Sequence, residues 1–172
     1  MTQLTAEIRS VLDQLAAEAA AGTGPLRLAA LATIAGHEPQ VRHVIIRRFS
    51  PAEMKLVFFC RADDAKFGEI ASHPAVELVS YVRDPDRQLR LAGTAVNLTD
   101  PALLDELWHR VRPSARSDYV FSRDAAEAMT EAAPTGDQRA PLFRAVEVAI
   151  RRVKLLTFEN ERWIERVYLP AS

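Results

Sequence analysis

One cysteine, Cys60, stands in the 172 residues, so the chain can close no internal disulfide. A lone thiol points to a reducing compartment, and the expected location is cytoplasmic. Neither charge sign is in surplus: 22 Lys and Arg face 23 Asp and Glu, for a net charge of -1. Non-specific nucleic-acid binding needs a basic excess or a basic face, so no nucleic-acid partner is expected. No apolar run approaches the ~18 residues of a spanning helix, and no membrane association is expected. The N-terminal stretch is amphipathic and acidic, unlike a signal peptide. The histidines, His37, His43, His73 and His109, are scattered without a second ligand at helical spacing, so no metal site is expected. Tandem repeats and low-complexity tracts are missing too. What is present is ordinary for a globular chain: 48% hydrophobic and 26% charged residues. That is enough chain for one domain over residues 1–172 with a real core.

Residues 3–21 read as a helix with an apolar stripe of Leu4, Ile8, Val11, Leu12 and Leu15, capped by Thr5 or Thr2 and ended by Gly22-Thr23-Gly24-Pro25. Strands are expected at 26–34, 40–49 and 54–60, joined by the turns Gly36-His37-Glu38-Pro39 and Ser50-Pro51-Ala52-Glu53, which makes an antiparallel meander. A short helix over 64–72 follows, opened by Asp63-Asp64. Strands at 75–82 and 87–98 come next, and Gly93 inside the second marks a bulge or a close backbone approach. Asp100-Pro101 starts a helix to about Arg110; Pro113 interrupts it, and 114–132 reads as a polar, Ala-rich helix. After a loop from Pro134 to Pro141, strands are expected at 143–152, 153–159 and 163–169. Eight strands with helices inserted between antiparallel partners make an α+β chain on a closed or nearly closed β-barrel.

The chemistry centres on Arg42-His43-Val44-Ile45-Ile46-Arg47. Its β-branched middle suits a strand, yet guanidinium groups flank that middle, and Arg48 follows. Alone, the stretch fits an edge or half-exposed strand with solvated arginines better. Lys66 lies in the first turn of a helix, where a cation opposes the helix dipole. An anion on the helix amides would account for it; a solvated surface lysine is the plainer alternative. Gln88, at a strand start, offers a donor and an acceptor on one flat amide, which suits a flat heterocycle with imide edges. His43 and His109 are acid–base candidates by residue type only, and no catalytic residue is assigned.

Arg42-x-Val44-x-x-Arg47, Val57-Phe58-Phe59-Cys60, Lys66, and Asp86-Arg87-Gln88 with Gly93 resemble, in order and spacing, the pyridoxamine 5′-phosphate oxidase-like FMN-binding split-barrel proteins. The resemblance runs from about Leu26 to Asp100 and resumes at Trp163-x-x-x-Arg166-Val167-x-Leu169-Pro170, similar to the family's closing signature. It implies a six-stranded split barrel working as a homodimer, with FMN in clefts at the subunit interface. Arg42 and Lys66 would hold the phosphate, a sound clamp for a dianion. The backbone of Val44, Ile45 and Ile46, with His43, would lie along the flavin ring, and Arg47 would sit toward its substrate side. Phe59 and Cys60 would stand in for an aromatic residue and a threonine that line the phosphate and ribityl end. Asp64-Ala65-Lys66 would replace the Ser-Arg-Lys of the phosphate helix, and Gln88 would bond the ring edge.

The true oxidases bind substrate phosphate with Tyr-x-x-x-Arg-Pro-x-x-Ser. Here Trp108 and Arg116 replace the Tyr and the Ser, while Arg112 and Pro113 match. The family's late Arg-x-His-x-Arg segment is missing, since Glu159-Asn160-Glu161-Arg162 runs straight into Trp163. The resemblance therefore implies a divergent FMN-binding oxidoreductase whose substrate is a small anionic heterocycle other than pyridoxamine phosphate. Trp108, Arg112, Arg116 and Arg47 are its candidate substrate residues. A non-catalytic flavin or haem module and a deazaflavin-dependent reductase are the alternatives.

Overall fold

The computed structural model describes residues 4–120 and 138–170. Seven strands form one antiparallel sheet: β1 (Leu28–Ala35), β2 (Glu38–Ser50), β3 (Lys55–Arg61), β4 (Ala75–Arg83), β5 (Asp86–Asn97), β6 (Phe143–Glu159) and β7 (Arg162–Tyr168). The order β3-β2-β1-β4-β5-β6-β7 would leave two edges, but β3 also pairs with β6. Six strands thus close into a barrel, and β7 is left outside it.

The seventeen-residue β6 makes both the closure and the split. Its first half, Phe143 to Ala149, pairs with β3 on one side and with the end of β5 on the other. From Val153 it keeps β5 but exchanges β3 for β7. The change coincides with a register shift opposite Ala92 and Gly93. There the two backbones come so close that a Cβ on Gly93 would lie 2.2 Å from the Ala149 carbonyl oxygen. The expected bulge and the expected close approach are one feature. The separate strands expected at 143–152 and 153–159 are this single bent strand, because the bulge redirects the chain without breaking the ladder. The strands among the described residues accordingly number seven, where eight were expected.

The meander β1–β2–β3 forms as expected, with β1 and β2 tightly joined so that Ala35 faces Glu38. Helix α1 (Ala6–Ala21) starts at Thr5, whose hydroxyl accepts from Ile8 N, and stops at Gly22 in the left-handed conformation (φ 72°). Its face of Ile8, Val11, Leu12 and Leu15 is buried with the barrel core of Leu31, Ile46, Phe58, Leu78 and Leu155. Each such aliphatic side chain contributes ~1.5–3 kcal/mol on burial. Helix α2 (Ala65–Ser72) lies against β1 and β5, with Ile70 in the same core. Helix α3 (Pro101–His109), capped by Asp100, joins Val57, Ala145 and Phe143 in a second apolar cluster. A 3-10 turn, Pro113–Tyr119, stands where the long polar helix over 114–132 was expected. The rest of that stretch, and the first half of the loop from Pro134, lie outside the described residues. No helix among the described residues is long and apolar enough to cross a membrane.

Candidate functional site

Strand alternation sorts β2 into two faces. Val44 and Ile46 point into the core, with Arg42 on the same face, whereas His43 and Ile45 point outward. A register shift between Ile46 and Arg48 against β3 makes Arg47 the bulged residue and aims it outward too. Outside this strand lies a cavity of about 350 Å³, lined by Leu28, His43, Val44, Ile45, Arg47, Phe59, Lys66 and Tyr119. Two neighbours share Phe59 with it. One, about 420 Å³, is lined by Phe59, Cys60, Arg61, Asp64, Ser117, Asp118 and Tyr119. The other, about 290 Å³, lies between the end of α1, Arg27, Arg47 and Arg112. Together they make a cleft of cofactor size. A slightly larger hollow, about 450 Å³, runs over β1, β4 and β5, but it is open and apolar, and Thr33, Thr94 and the Arg152–Glu77 ion pair are its main polar features.

The cleft has an apolar wall and a cationic floor. Among the described residues the Arg47 side chain has no hydrogen-bond partner: its guanidinium carbon lies 5.6 Å from the Phe59 ring centroid, and its Nε is buried without a partner. Burial lowers its pKa; Tyr119 opposes this, and Arg27 and Arg112 add to it. Lys66 Nζ lies 2.6 Å from Asp64 Oδ2, and that carboxylate also accepts from Arg61 N at 3.0 Å. Asp64 makes no side-chain cap to the α2 amides, so the first turn of that helix is left to other acceptors. Arg61 is itself buried; it forks onto Asp63 and donates to the Asp118 carbonyl, tying the 3-10 turn to the end of β3. Desolvation pushes the Cys60 thiol up to about 12, and desolvation likewise raises the Tyr119 phenol.

Of the residues expected at the cofactor, the structure gathers His43, Val44, Ile45, Arg47, Phe59 and Lys66 around the first cavity, with Cys60 and Asp64 next door. Ile46 is fully buried on the core side, and Ala65 follows the Asp64 cap. Arg42 goes elsewhere. It donates to Thr33 Oγ1 and, at 2.7 Å, to Glu69 Oε2 of α2, while Thr33 donates to the same carboxylate. Gln88 sits on β5 between Tyr81 and Leu156 and lines none of the three cavities. Among the candidate substrate residues, Arg112 joins Arg47 in the cationic compartment. Trp108 is 1% exposed and packs edge-on against Phe143 and Tyr119. Leu104, Leu107, Trp108 and Val111 form one helical stripe, and that stripe is core. Arg116 lies 5.2 Å from the Trp108 ring centroid. Three contributors carried no sequence signal of their own: Arg27, Arg61 and Tyr119. Their places depend on strand register and on the 3-10 turn.

A family model described as pyridoxamine 5′-phosphate oxidase, FMN-binding domain, matches residues 5–99. Similar solved structures include a pyridoxamine 5′-phosphate oxidase-related FMN binding protein from Nostoc punctiforme PCC 73102 (TM-score 0.73, 17% identity, covering 98% of this chain and 100% of that one). PhzG from Burkholderia lata 383, solved in complex with tetrahydrophenazine-1-carboxylic acid, has a TM-score of 0.65 at 19% identity over 95% of this chain and 92% of its own. A protein related to general stress protein 26 from Clostridium acetobutylicum follows at 0.60 and 13% identity, over 91% and 94%. These likenesses establish the split-barrel fold. No curated protein matches the chain. The family match covers more than half of the sequence and includes β1 to β5 and α2, the elements that supply most of the cleft. The chain belongs to the pyridoxamine 5′-phosphate oxidase FMN-binding domain family, whose cofactor is FMN.

Proposed function

We propose that the protein is an FMN-dependent oxidoreductase acting on a small anionic heterocycle. The observation that carries this reading is the convergence of Lys66, Arg47, the outer face of β2 and the Phe59 ring on one cleft. The residues fit the cofactor's chemistry. Lys66 and the uncapped start of α2 suit a phosphate dianion. Leu28, Ile45 and Phe59 suit an apolar ring system, and Arg47, whose Nε has no partner among the described residues, offers a guanidinium beside it. When bound, FMN supplies the hydride and electron transfer. The chain's own part is to hold and orient. Lys66 holds the phosphate end. Arg42, tied to Glu69, fixes α2 on the barrel so that Lys66 stays in place. Phe59 and Tyr119 exclude water from the middle of the cleft. Arg47 and Arg112 meet the substrate's negative charge.

The working unit in this reading is a homodimer. Gln88 lies outside the cleft of its own chain, so the flavin edge it would bond belongs to a partner. Val41 (68% exposed) and Val96 (57%) are apolar side chains left in solvent by one chain alone. PhzG, of the same fold, was solved with tetrahydrophenazine-1-carboxylic acid, which fits a substrate of that charge. The test is the visible spectrum of protein purified without added cofactor, followed by mass analysis of what denaturation releases. Flavin absorption near ~450 nm and the mass of FMN are expected. A Soret band would transfer the protein to haem binding. A colourless protein that takes up no added FMN would end the proposal.

A further inference from the structure

The phosphate end of the cleft carries an anion of its own. Lys66, the cation that meets the cofactor phosphate, already has a carboxylate: its Nζ lies 2.6 Å from Asp64 Oδ2, and the two side chains are only 13% and 9% exposed. That carboxylate is fixed. Its Oδ2 also accepts from Arg61 N at 3.0 Å, while Asp64 N donates to the Arg61 carbonyl at 3.2 Å. The two bonds close the turn between β3 and α2. Asp64 itself is extended (φ -75°, ψ 131°), and its carbonyl accepts from Phe67 N at 2.9 Å. The backbone thus starts the helix, and the side chain faces Lys66 instead of the helix amides. The neighbouring cations are engaged as well. Arg61 forks onto Asp63 and donates to the Asp118 carbonyl, and Asp118 lines the same cavity as Asp64. Arg42 is held by Glu69, and Arg144 donates to the Pro141 and Phe143 carbonyls at 2.9 and 2.7 Å. A phosphate dianion entering here has to share Lys66 with a fixed carboxylate, and like charges brought together in a partly desolvated site repel.

We infer that Asp64 is a specificity-determining residue for the cofactor: as a built-in counter-anion of Lys66 it opposes the phosphate dianion, narrows the preference for FMN over riboflavin and leaves the flavin exchangeable with the free pool. Specificity here is a difference between two affinities, and the carboxylate lowers the one that depends on phosphate charge. The inference rests on reading Lys66 as the phosphate cation. The two parts Asp64 plays are separable. Accepting from Arg61 N takes an oxygen, whereas opposing the phosphate takes a charge. Asp64→Asn keeps an oxygen of the same reach for Arg61 N and Lys66 and removes the charge. Asp64→Ser also keeps an oxygen that can close the turn.

Equilibrium binding of FMN and of riboflavin to flavin-stripped protein, read by the change in flavin fluorescence, tests it. Riboflavin shares the ring and the ribityl chain and has no phosphate. Asp64→Asn is expected to tighten FMN at least ~tenfold and to slow its release, with riboflavin affinity kept within about twofold of the parent. Asp64→Ser must tighten FMN too, so a folding failure in one variant leaves the test to the other. FMN uptake by the variants and not by the parent would be the same result in its extreme form. Equal FMN affinity in the parent and both variants overturns the inference. So does equal tightening of FMN and riboflavin, which would make Asp64 an obstacle of shape and not of charge. Weaker FMN binding by a folded Asp64→Asn also overturns it, because the carboxylate would then help to hold the phosphate. If neither the parent nor the variants take up either flavin, the flavin reading itself fails and the inference falls with it, whereas FMN bound equally by all three refutes the inference alone.

Discussion

Replacing Arg42 by alanine separates two roles that a cation on β2 can have. As a phosphate ligand it would matter to cofactor affinity and little to stability. As a strut it would matter in the opposite way. Its guanidinium lies 2.7 Å from Glu69, whose side chain is 9% exposed, and both groups share the buried Thr33 hydroxyl. At an effective dielectric near 20 two charges ~4 Å apart attract by about 4 kcal/mol before desolvation and lost rotamer freedom are subtracted. Removing one member leaves the other covered and unpaired, for a net loss of ~2–3 kcal/mol. In a chain of this size that lowers Tm by roughly 5–10 °C. A double-mutant cycle of Arg42→Ala with Glu69→Ala, read by urea denaturation of the FMN-free protein, is expected to give a coupling of ~1–2 kcal/mol. Lys66→Ala, which removes the 2.6 Å partner of the covered Asp64 carboxylate, should cost stability of similar size and in addition weaken FMN by about 10- to 100-fold, read by flavin fluorescence. If Arg42→Ala weakens FMN as much as Lys66→Ala, keeps its Tm, and combines additively with Glu69→Ala, then Arg42 is a phosphate ligand and the strut is wrong.

Other consequences are as specific. Gly93→Ala must part β5 from β6 at their 2.2 Å contact, and ~2–4 kcal/mol of stability should be lost; a variant within 0.5 kcal/mol of the parent would contradict the geometry. Cys60, with its thiol pushed up to about 12, should resist alkylation at pH 8 in the folded protein and react on unfolding. Because its folded pKa lies above that of an exposed thiol, near 9.0, its contribution to stability is whole below pH 9 and declines above it, by at most ~1.4 kcal/mol per pH unit; Cys60→Ala should flatten that slope in chemical denaturation between pH 8.5 and 10. Trp108→Phe should cost stability by about 1–3 kcal/mol, the scale of a core truncation, with FMN affinity unchanged; lost FMN affinity at full stability would return Trp108 to the pocket wall.

The barrel was legible because its apolar strand runs are separated by turns that carry Gly or Pro, at Gly36-His37, Pro51 and Asp84-Pro85. Lys66 at a helix start and Phe59-Cys60 at a strand end could be placed from local pattern alone. Arg27 could not, since its nearness to Arg47 follows from where the β1–β2 hairpin is centred. The tight turn at Gly36-His37 sets Arg27 opposite Ile46, whereas a turn extended to Pro39 moves it by two residues. Arg42 and Glu69 are twenty-seven positions apart, and only the packing of α2 on the barrel joins them. Trp108 matched a substrate-binding position by spacing, but the apolar residues around it at helical intervals carried the stronger signal, that of a buried face.

The position of β6 has a kinetic consequence. Every cleft residue except Arg110, Arg112 and those of the 3-10 turn lies before residue 100, yet β3, which carries Phe59 and Cys60, is held on its second side by Phe143 to Ala149. Those pairings span some ninety residues, and contacts so distant in sequence form late, after the local hairpins. The meander can therefore assemble first while the wall of the cleft still waits for the C-terminal strand. Recovery of FMN binding during refolding should follow barrel closure and lag behind the first growth of strand structure. A chain that ends before Phe143 would carry most of the cofactor residues and have no finished place to put the cofactor.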